Sequence, residues 1–248
     1  MKFVRFKVNG GASWGIVEGE MIKAIDGPPY GCHAMTGEVQ FLKFAKLLSP
    51  VTPSKIIGIG VNYKALRPMR PERPGFFYLP PSTLANPGES IIIPPMAKEV
   101  CFEGEMAFVI GRETRDISEA DALEAVFGVT CANDVSDLTL AREDGTSTRS
   151  KCFDTFFPIG PYLVAGLDPN NLTLITRVNG EERQRANTSE LVFNVQQIIS
   201  YLSQIMTLMP GDVISTGTPP GLGPIIPGDL VEVEIEGVGV LKNGVRAG

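Results

Sequence analysis

The sequence predicts an α+β protein in which strands predominate. Short apolar segments recur along the chain, and most of them are bounded by glycine or proline, which is typical of strands joined by turns. By contrast, apolar residues recur convincingly at helical spacing in one long segment, from Val195 to Met206. Many short strands with few helices favour a sheet-based core that is not of the Rossmann type.

Composition and charge narrow the class of function. The 248 residues are 43% hydrophobic and 20% charged, as in a soluble globular protein. The net charge of −6 argues against nucleic acid as a partner, because phosphate binding requires clustered lysine and arginine. We find no apolar run of membrane-spanning length and no signal-like N-terminus, so a cytoplasmic location and no membrane partner are expected. The four cysteines form no CxxC pair and are interpreted as reduced thiols.

The first 50 residues are predicted to form a small β-rich lobe, and residues 51–248 the main domain. Phe3–Val8 alternates like a strand, and the segments 14–17 and 21–25 continue a meander. Phe41–Leu48 is predicted to be a short helix that ends before Pro50.

Lys55–Tyr63 has the pattern of a buried strand with a glycine-containing end. Its two glycines do not begin a dinucleotide-binding fingerprint, which requires a third glycine and a following helix. Pro68, Pro71 and Pro74 follow instead and exclude a regular helix.

Further elements are predicted in order along the rest of the chain. Ser118–Asp121 has the pattern of a capping box, which predicts a helix through about Val126. Asn194 and Gln197 have the pattern that begins the helix over 195–206. Strands are predicted at 76–79, 91–93, 106–110, 127–134, 172–178, 213–216 and 230–236.

Three carboxylates lie at the ends of predicted buried strands. Glu103 and Glu105 are separated by one glycine, so they point to the same side of a strand. Asp134 ends a second apolar strand, and neighbouring strands would bring the three together. Such a set holds a hard cation such as Mg²⁺, Mn²⁺ or Ca²⁺ and leaves positions for water or substrate. On the motif alone, an exposed strand end with two solvated glutamates explains the pattern equally well.

The histidine content excludes two kinds of site. The chain has one histidine, His33, in a segment rich in proline and glycine. A zinc site with several histidines is therefore impossible, and a Ser-His-Asp triad would have to use this residue. A solvated loop histidine is the favoured interpretation.

Five stretches carry a resemblance to a known family and occur in that family's order: Lys55–Tyr63, Phe102–Glu105, Ala132–Ser136, Arg149–Thr155 and Thr216–Pro219. Through them the chain resembles, from about Pro53 to Asn243, the C-terminal catalytic domain of the fumarylacetoacetate hydrolase family. The resemblance implies a mixed β-roll catalytic domain, a homodimer, bound Mg²⁺ or Mn²⁺, and a small 2-oxo or enol acid as substrate.

The resemblance also implies roles for single residues. Glu103, Glu105 and Asp134 would be the metal ligands, and Lys151 a cation that neutralises charge or moves a proton, with a pKa lowered by burial. A salt bridge to a metal carboxylate is the alternative role of this lysine. The predicted substrate-binding residues are Thr218, Gly217, Tyr63 and Arg149. Thr218 has the alternative of stabilising its own turn.

Departures from the family pattern leave the reaction open. Hydrolytic members carry a histidine and a glutamate on a lid helix after the residues that match Asn62 and Tyr63, whereas the segment 64–74 has no histidine. Glu72 is the one carboxylate in that segment, and we take it as a candidate base. The residues that replace usual polar family positions are Leu79, Leu138 and Ala141, and the arginines proposed to compensate are Arg67, Arg70, Arg73, Arg142 and Arg149.

Three functions are consistent with this pattern. The first is an isomerase, tautomerase or decarboxylase acting on a 2-oxo or enol (di)carboxylic acid, which needs a stabilised enolate but no activated water. The second is a C–C bond hydrolase with a different base, Glu72 or Lys151. The third is a metal-binding homologue without turnover, since a fold does not guarantee an activity.

Overall fold

The structure is a computed structural model that describes residues 1–66 and 69–248. Strands predominate in it, and we number them in chain order. The first ten strands are β1 (Lys2–Val8), β2 (Gly11–Glu18), β3 (Met21–Ile25), β4 (Met35–Phe41), β5 (Leu47–Leu48), β6 (Ile56–Gly60), β7 (Gly75–Leu79), β8 (Leu84–Ala85), β9 (Ile91–Ile93) and β10 (Val100–Phe102). The remaining strands are β11 (Gly104–Ile110), β12 (Val126–Asn133), β13 (Ser136–Asp137), β14 (Phe157–Val164), β15 (Thr173–Val178), β16 (Glu181–Asn187), β17 (Val213–Ser215), β18 (Gly223–Pro224), β19 (Leu230–Ile235) and β20 (Gly239–Ala247).

Helices are few and mostly short in the described part of the chain. The α-helices are α1 (Leu138–Asp144), α2 (Thr148–Lys151) and α3 (Val195–Ile205). Single turns of 3₁₀ helix occur at Leu42–Phe44, Lys64–Leu66, Pro81–Thr83, Ala122–Ala125 and Thr188–Glu190. None of the described helices is both long and apolar enough to cross a membrane. The prediction of an α+β protein in which strands predominate is confirmed.

The strands form one large mixed sheet and two smaller ones. The large sheet has twelve strands in the order β4-β3-β2-β1-β14-β12-β11-β17-β6-β7, with β5 paired to β1 and β8 paired to β14. A three-stranded sheet has the order β13-β10-β18, and a five-stranded sheet the order β16-β15-β19-β20-β9. Residues 1–50 extend the large sheet, because β1 pairs with β14. The division into a lobe and a catalytic domain at residue 50 stays a prediction.

Strand β11 lies at the centre of the core. It is paired with β12 on one side and β17 on the other, and all seven of its residues are buried. Successive side chains of a strand alternate between faces. Met106, Phe108 and Ile110 accordingly pack into one apolar cluster, whereas Ala107 and Val109 pack into another. The continuous apolar run therefore reflects a strand covered on both faces, as predicted.

Helix α3 begins as its sequence predicts. The Asn194 side chain accepts a hydrogen bond from the backbone of Gln197 (2.9 Å), and the Gln197 side chain accepts one in return from the backbone of Asn194 (3.3 Å). Its apolar stripe packs against the cluster that contains Phe108.

Two predicted helices are wrong, and strand pairing explains both. In 41–48, Phe41 ends β4 opposite Met21, and Leu47–Leu48 pairs with β1, which leaves room for one 3₁₀ turn. In 118–126, Ser118 Oγ donates to the Asp121 carboxylate (2.7 Å) in a turn. The helix there is the 3₁₀ turn Ala122–Ala125, because β12 begins at Val126.

Candidate metal centre

Two neighbouring strands bring Glu103, Glu105 and Asp134 together. Gly104 of β11 lies opposite Asn133 of β12, so the residues on either side of this pair are adjacent. The backbone N–H of Asp134 donates to the carbonyl oxygen of Glu103 (2.9 Å) and extends the strand pairing by one bond. One carboxylate oxygen from each of the three residues lies within 4.8 Å of the others. The predicted juxtaposition of the three carboxylates is therefore present.

Hydroxyl and amide donors fix one oxygen of each glutamate. Glu105 is 2% exposed, and its Oε2 accepts hydrogen bonds from Ser215 Oγ (2.5 Å) and from the backbone N–H of Gly217 (2.8 Å). Glu103 Oε1 accepts a hydrogen bond from Ser136 Oγ. These donors orient the carboxylates without neutralising them, which is the arrangement expected around metal ligands.

Lys151 clamps two of the three carboxylates. This lysine ends α2, and its Nζ donates to Glu103 Oε2 (3.2 Å) and to the carbonyl oxygen of Asp134 (2.8 Å) and forms an ion pair with Asp134 Oδ2 (2.9 Å). The three N–H groups of the ammonium are thus surrounded by three oxygens of the site. Burial opposes the charge of Lys151, but the carboxylates of Asp134, Glu103 and Glu105 outweigh burial and raise its pKa above the ordinary value. The predicted lowering of this pKa is therefore wrong, because three opposite charges surround the ammonium.

The same crowding that favours the charged form of Lys151 disfavours the charged form of Glu105 and Asp134. Burial, with the charges of Asp134 and Glu103 added, raises the pKa of Glu105 well above its ordinary value. Burial also raises the pKa of Asp134 to about 6, with Lys151 opposing the shift and Glu103 adding to it. Negative charge in this cluster is thus costly in the absence of a further cation.

The residues present fit a divalent cation. Three carboxylates face one ammonium, which leaves an excess of two negative charges. Asp134 Oδ1 is buried and has no hydrogen-bond partner among the described residues, although buried acceptors are nearly always paired. An oxygen-only donor set of this kind suits Mg²⁺, Mn²⁺ or Ca²⁺.

The glycine between the two glutamates is required by close packing. A Cβ on Gly104 would lie 1.8 Å from Thr176 Oγ1, which is too short for any side chain. Strand β15, which carries Thr176, therefore passes directly behind the ligand-bearing segment. The Glu-Gly-Glu spacing lets β11 approach β15 while both carboxylates point to the opposite side.

Gln184 is a buried residue of this site that the sequence analysis missed. Its Oε1 accepts from the backbone N–H of Gly104 (3.1 Å), and its Nε2 donates to Thr218 Oγ1 (2.7 Å) and to the carbonyl oxygen of Pro219 (2.8 Å). Thr218 Oγ1 in turn donates to the carbonyl oxygen of Gly104 (2.9 Å). The signal in the sequence was weak, because Gln184 lies in the polar run Glu181–Arg185, whose neighbouring side chains are exposed.

A cavity of about 250 Å³ opens above the carboxylates. Its polar side contains the three acidic residues, Lys151 and several hydroxyl groups, among them that of Thr218. The apolar residues of the lining include Val61, Leu66, Phe77, Leu138, Ala141 and Leu222. The cavity is smaller than a typical drug-sized pocket, so it suits a small ligand.

The structure brings some of the other predicted residues to this cavity and leaves others apart from it. Thr218 lines it, and Gly217 supports Glu105 through its backbone N–H. Tyr63 is 1% exposed and packs with Ala186 and Leu191, outside the cavity lining. Arg149 is held by Asp144 through two hydrogen bonds (2.7 and 2.5 Å). The substrate-binding roles of Tyr63 and Arg149 stay predictions that this geometry does not support.

Glu72 lies in a different cavity, together with Arg70, Arg73 and residues of α3. Arg70 donates to Gln197 Oε1 (3.0 Å), and Arg142 donates to Glu99 Oε2 (2.8 Å). Arg67 and Pro68 lie outside the described residues. The catalytic role of Glu72 therefore stays a prediction without geometric support.

His33 is exposed and lies apart from the carboxylates. Its Nδ1 is 3.1 Å from the carbonyl oxygen of Gly31, and its ring packs edge-on against Phe3. The favoured interpretation of a loop histidine is confirmed.

The fold and the site together define a mixed β protein with a three-carboxylate candidate metal centre, in which Glu105 and Asp134 are buried and Glu103 is partly exposed. Comparison with known families identifies the family to which it belongs. Residues 55–246 match the family "Fumarylacetoacetate (FAA) hydrolase C-terminal", and residues 1–50 match "Rv2993c-like, N-terminal". The chain belongs to the fumarylacetoacetate hydrolase family. The family resemblance inferred from the sequence is confirmed, and so is the fold that it implied.

Three relatives illustrate the range of the family. A solved structure of 5-carboxymethyl-2-hydroxymuconate delta-isomerase from Mycobacterium smegmatis is 40% identical, with a TM-score of 0.95 and full coverage of both chains. Oxaloacetate tautomerase FAHD2A of Bos taurus is 41% identical over 80% of this chain and 68% of its own length. A maleylpyruvate hydrolase from Sphingobium sp. SYK-6, solved with manganese(II) and pyruvate, is 30% identical, with a TM-score of 0.84 and full coverage of both chains.

Proposed function

We propose that this protein is a divalent-metal-dependent enzyme that acts on a 2-oxo or enol carboxylic acid, by isomerisation, tautomerisation or decarboxylation. The observation that carries the proposal is Asp134 Oδ1, a buried carboxylate oxygen with no hydrogen-bond partner in the described part of the chain, next to Glu103 and Glu105 in the lining of a small cavity. Such an unpaired acceptor costs free energy unless a cation or ligand occupies the site.

Glu103, Glu105 and Asp134 would hold the ion, with Mg²⁺ or Mn²⁺ preferred and Ca²⁺ possible by donor chemistry. When bound, a divalent ion in such a site stabilises the negative charge of an enolate. The structure with manganese(II) and pyruvate of a relative supports a metal of this kind.

Lys151 supplies fixed positive charge in this scheme. Its raised pKa, its two hydrogen bonds and its ion pair make it a protonated clamp on Glu103 and Asp134, so it does not act as a base in this arrangement. Ser215 and the backbone N–H of Gly217 hold Oε2 of Glu105, whereas Glu103 accepts from Ser136 at Oε1 and from Lys151 at Oε2. These bonds would orient both glutamates as ligands for the ion.

The Thr218 hydroxyl holds the turn that closes the site. It donates to Gly104 and accepts from Gln184, so its bonds lie within the protein. Its role is therefore to keep the Gly217–Thr218 turn against the ligand-bearing strand.

Isomerisation or decarboxylation is favoured over hydrolysis by the lining of the cavity. Tautomerisation moves a proton from carbon 3 of a 2-oxo acid to the oxygen of carbon 2, with solvent in the open cavity as the proton carrier, and consumes no water. Decarboxylation releases carbon dioxide and leaves an enolate that solvent protonates, so neither reaction needs a residue that activates water as a nucleophile. Hydrolysis requires a base that activates water. Among the described residues that line the cavity there is no histidine, and Glu72 lies in another cavity. The similarity to the isomerase from Mycobacterium smegmatis and to the bovine tautomerase supports the preference for isomerisation or tautomerisation over hydrolysis.

A C–C bond hydrolase is the second candidate. It is supported by the maleylpyruvate hydrolase structure, which shares the fold over the full length of the chain. A metal-binding homologue without turnover is the third candidate. The homodimer expected for the family is part of the proposal, and light scattering of the purified protein tests it.

The test combines metal binding with turnover. Binding of Mn²⁺ to the metal-stripped protein is measured by calorimetry. Enol–keto conversion and decarboxylation of oxaloacetate, and hydrolysis of an acylpyruvate, are then assayed with Mg²⁺. We expect Glu103→Gln to abolish binding and turnover, whereas Glu181→Gln, an exposed glutamate on β16, leaves both unchanged.

Each result discriminates among the candidates. Conversion of oxaloacetate without acylpyruvate hydrolysis supports the proposal. Release of pyruvate from the acylpyruvate as the main activity favours the hydrolase. Mn²⁺ binding without turnover on any of these acids favours the non-catalytic homologue, and undiminished Mn²⁺ binding by Glu103→Gln contradicts the metal site.

A further inference from the structure

We propose that the cavity selects acids whose end remote from the 2-oxo carboxylate is apolar and uncharged. This inference deepens the proposed function and rests on it. It concerns the apolar residues that line the cavity, whose nature the reaction chemistry does not dictate.

The apolar wall of the cavity, formed by Leu138, Ala141 and Leu222, is built on ordered elements. Leu138 and Ala141 lie one turn apart on α1, so their side chains emerge on the same face of the helix. The helix begins at a formed cap, because Asp137 Oδ1 accepts hydrogen bonds from Thr139 N (2.9 Å) and Leu140 N (3.0 Å). Leu222 continues the wall from the segment after Thr218.

The cations next to this wall are committed to other partners. Lys151 is the one cationic side chain among the described residues that line the cavity, and its N–H donors are used by Asp134 and Glu103. Arg142 of α1 donates to Glu99, and Arg149 of α2 donates to Asp144. Both arginines are exposed and neither lines the cavity.

A second carboxylate that lay against Leu138, Ala141 and Leu222 would therefore meet apolar side chains, with no uncommitted cation among the described residues that line the cavity. Placing a charged group there without a partner costs desolvation free energy that no contact returns. An aliphatic group in the same position is removed from water at a gain in free energy when it is buried against Leu138, Ala141 and Leu222. The small volume of the cavity, about 250 Å³, further favours a short aliphatic tail.

The experiment compares two acids of equal size. Oxaloacetate ends in a carboxylate and 4-methyl-2-oxopentanoate ends in a branched alkyl group, and the two have the same number of non-hydrogen atoms. Exchange of the carbon-3 hydrogens with deuterated water is followed by NMR in the presence of the Mg²⁺-loaded protein. We expect kcat/KM for 4-methyl-2-oxopentanoate to exceed that for oxaloacetate by at least about tenfold.

Two variants test the residues that set this preference. Leu138→Arg and Leu222→Arg each place a cation on the wall, and we expect each to shift the ratio of kcat/KM toward oxaloacetate by about tenfold or more. Leu123→Arg is the matched control, since Leu123 is partly exposed on the 3₁₀ turn before β12 and lies outside this cavity. Mg²⁺ binding and a thermal melt confirm that each variant is folded.

The outcomes separate this inference from the proposed function. Equal rates for the two acids, or faster exchange of oxaloacetate, overturn the apolar subsite while the proposed function stands. An unchanged ratio in both folded arginine variants also overturns it. Mg²⁺ binding without exchange of either acid overturns the proposed function, and the subsite with it.

Discussion

Asp134 is joined to Glu103 by a backbone hydrogen bond of 2.9 Å, at the point where the pairing of β11 and β12 ends. The distance between two of the candidate metal ligands is therefore set by the register of a buried sheet and not by flexible side chains. Sites built on strands hold their ligands more accurately than sites built on loops. The remaining flexibility is removed by Lys151, which bonds to both residues.

Removal of Lys151 is expected to destabilise the metal-free protein. Lys151→Met leaves three carboxylates in a buried cluster without a counter-ion, and breaking a buried ion pair in this way costs about 3–5 kcal/mol. Mg²⁺ should restore more stability in the variant than it adds to the wild type. Urea unfolding with and without Mg²⁺ measures both quantities.

Lys242→Met is the control for that experiment. Lys242 pairs with Glu232 at the surface, where its side chain is 58% exposed, so its loss should change stability by less than about 1 kcal/mol. A Lys151→Met protein that unfolds at the same urea concentration as the wild type would contradict the clamp role.

The stability of the metal-free protein is expected to depend on Asp134 in a defined pH window. Its pKa is raised from 3.8 to about 6 in the folded state, so between these values the folded protein binds more protons than the unfolded chain. Stability therefore falls as pH rises through this window. Asp134→Asn removes the effect.

The measurement is the difference in Tm between Asp134→Asn and the wild type, both with chelator present. The Tm of Asp134→Asn minus the Tm of the wild type should become more positive as pH rises from 3.8 to about 6. With Mg²⁺ at neutral pH the order should reverse, because only the wild type gains stability from the ion. A Tm difference that is independent of pH would show that ionisation of Asp134 does not destabilise the metal-free protein.

Gln184 is expected to act on the metal through its neighbours. Gln184→Leu removes the bonds to Gly104, Thr218 and Pro219, which hold two segments of the site together. Loss of supporting residues of this kind lowers metal affinity by about 10–100-fold. Calorimetry with Mn²⁺ measures the change, and Gln204→Leu, at an exposed position of α3, is the control. Equal Mn²⁺ affinity in a folded Gln184→Leu protein would show that the network has no influence on the ligands.

Gly104→Ala is expected to be strongly destabilising although it adds one methyl group. The new Cβ would lie 1.8 Å from Thr176 Oγ1, so β11 and β15 must move apart. Overpacking of a core costs about 1–3 kcal/mol, and a contact this short places the change at the upper end. Thermal unfolding measures the loss, and a second substitution, Thr176→Ala, should recover part of it. A Gly104→Ala protein as stable as the wild type would show that the two strands are less tightly packed than this contact requires.

Features with a local physical cause could be predicted from the sequence. The apolar run 106–110, the alternation that places Glu103 and Glu105 on one side, and the capping of α3 by Asn194 all follow from rules that act over a few residues. The ordered family motifs then identified the fold. The two helix predictions, at 41–48 and 118–126, were wrong because long-range strand pairing overrode a local sequence pattern.

By itself, the sequence determined the acidic site and the family, because strand alternation and the order of the motifs are properties of the chain alone. The tertiary structure decided which residues surround the site. It showed Lys151 as a saturated clamp, recruited Gln184 from a polar strand, and left Glu72 and Arg149 apart from the carboxylates. The physical reason is that hydrogen-bond saturation and the surroundings of a charge depend on groups distant in the chain, which only the folded sheets bring together.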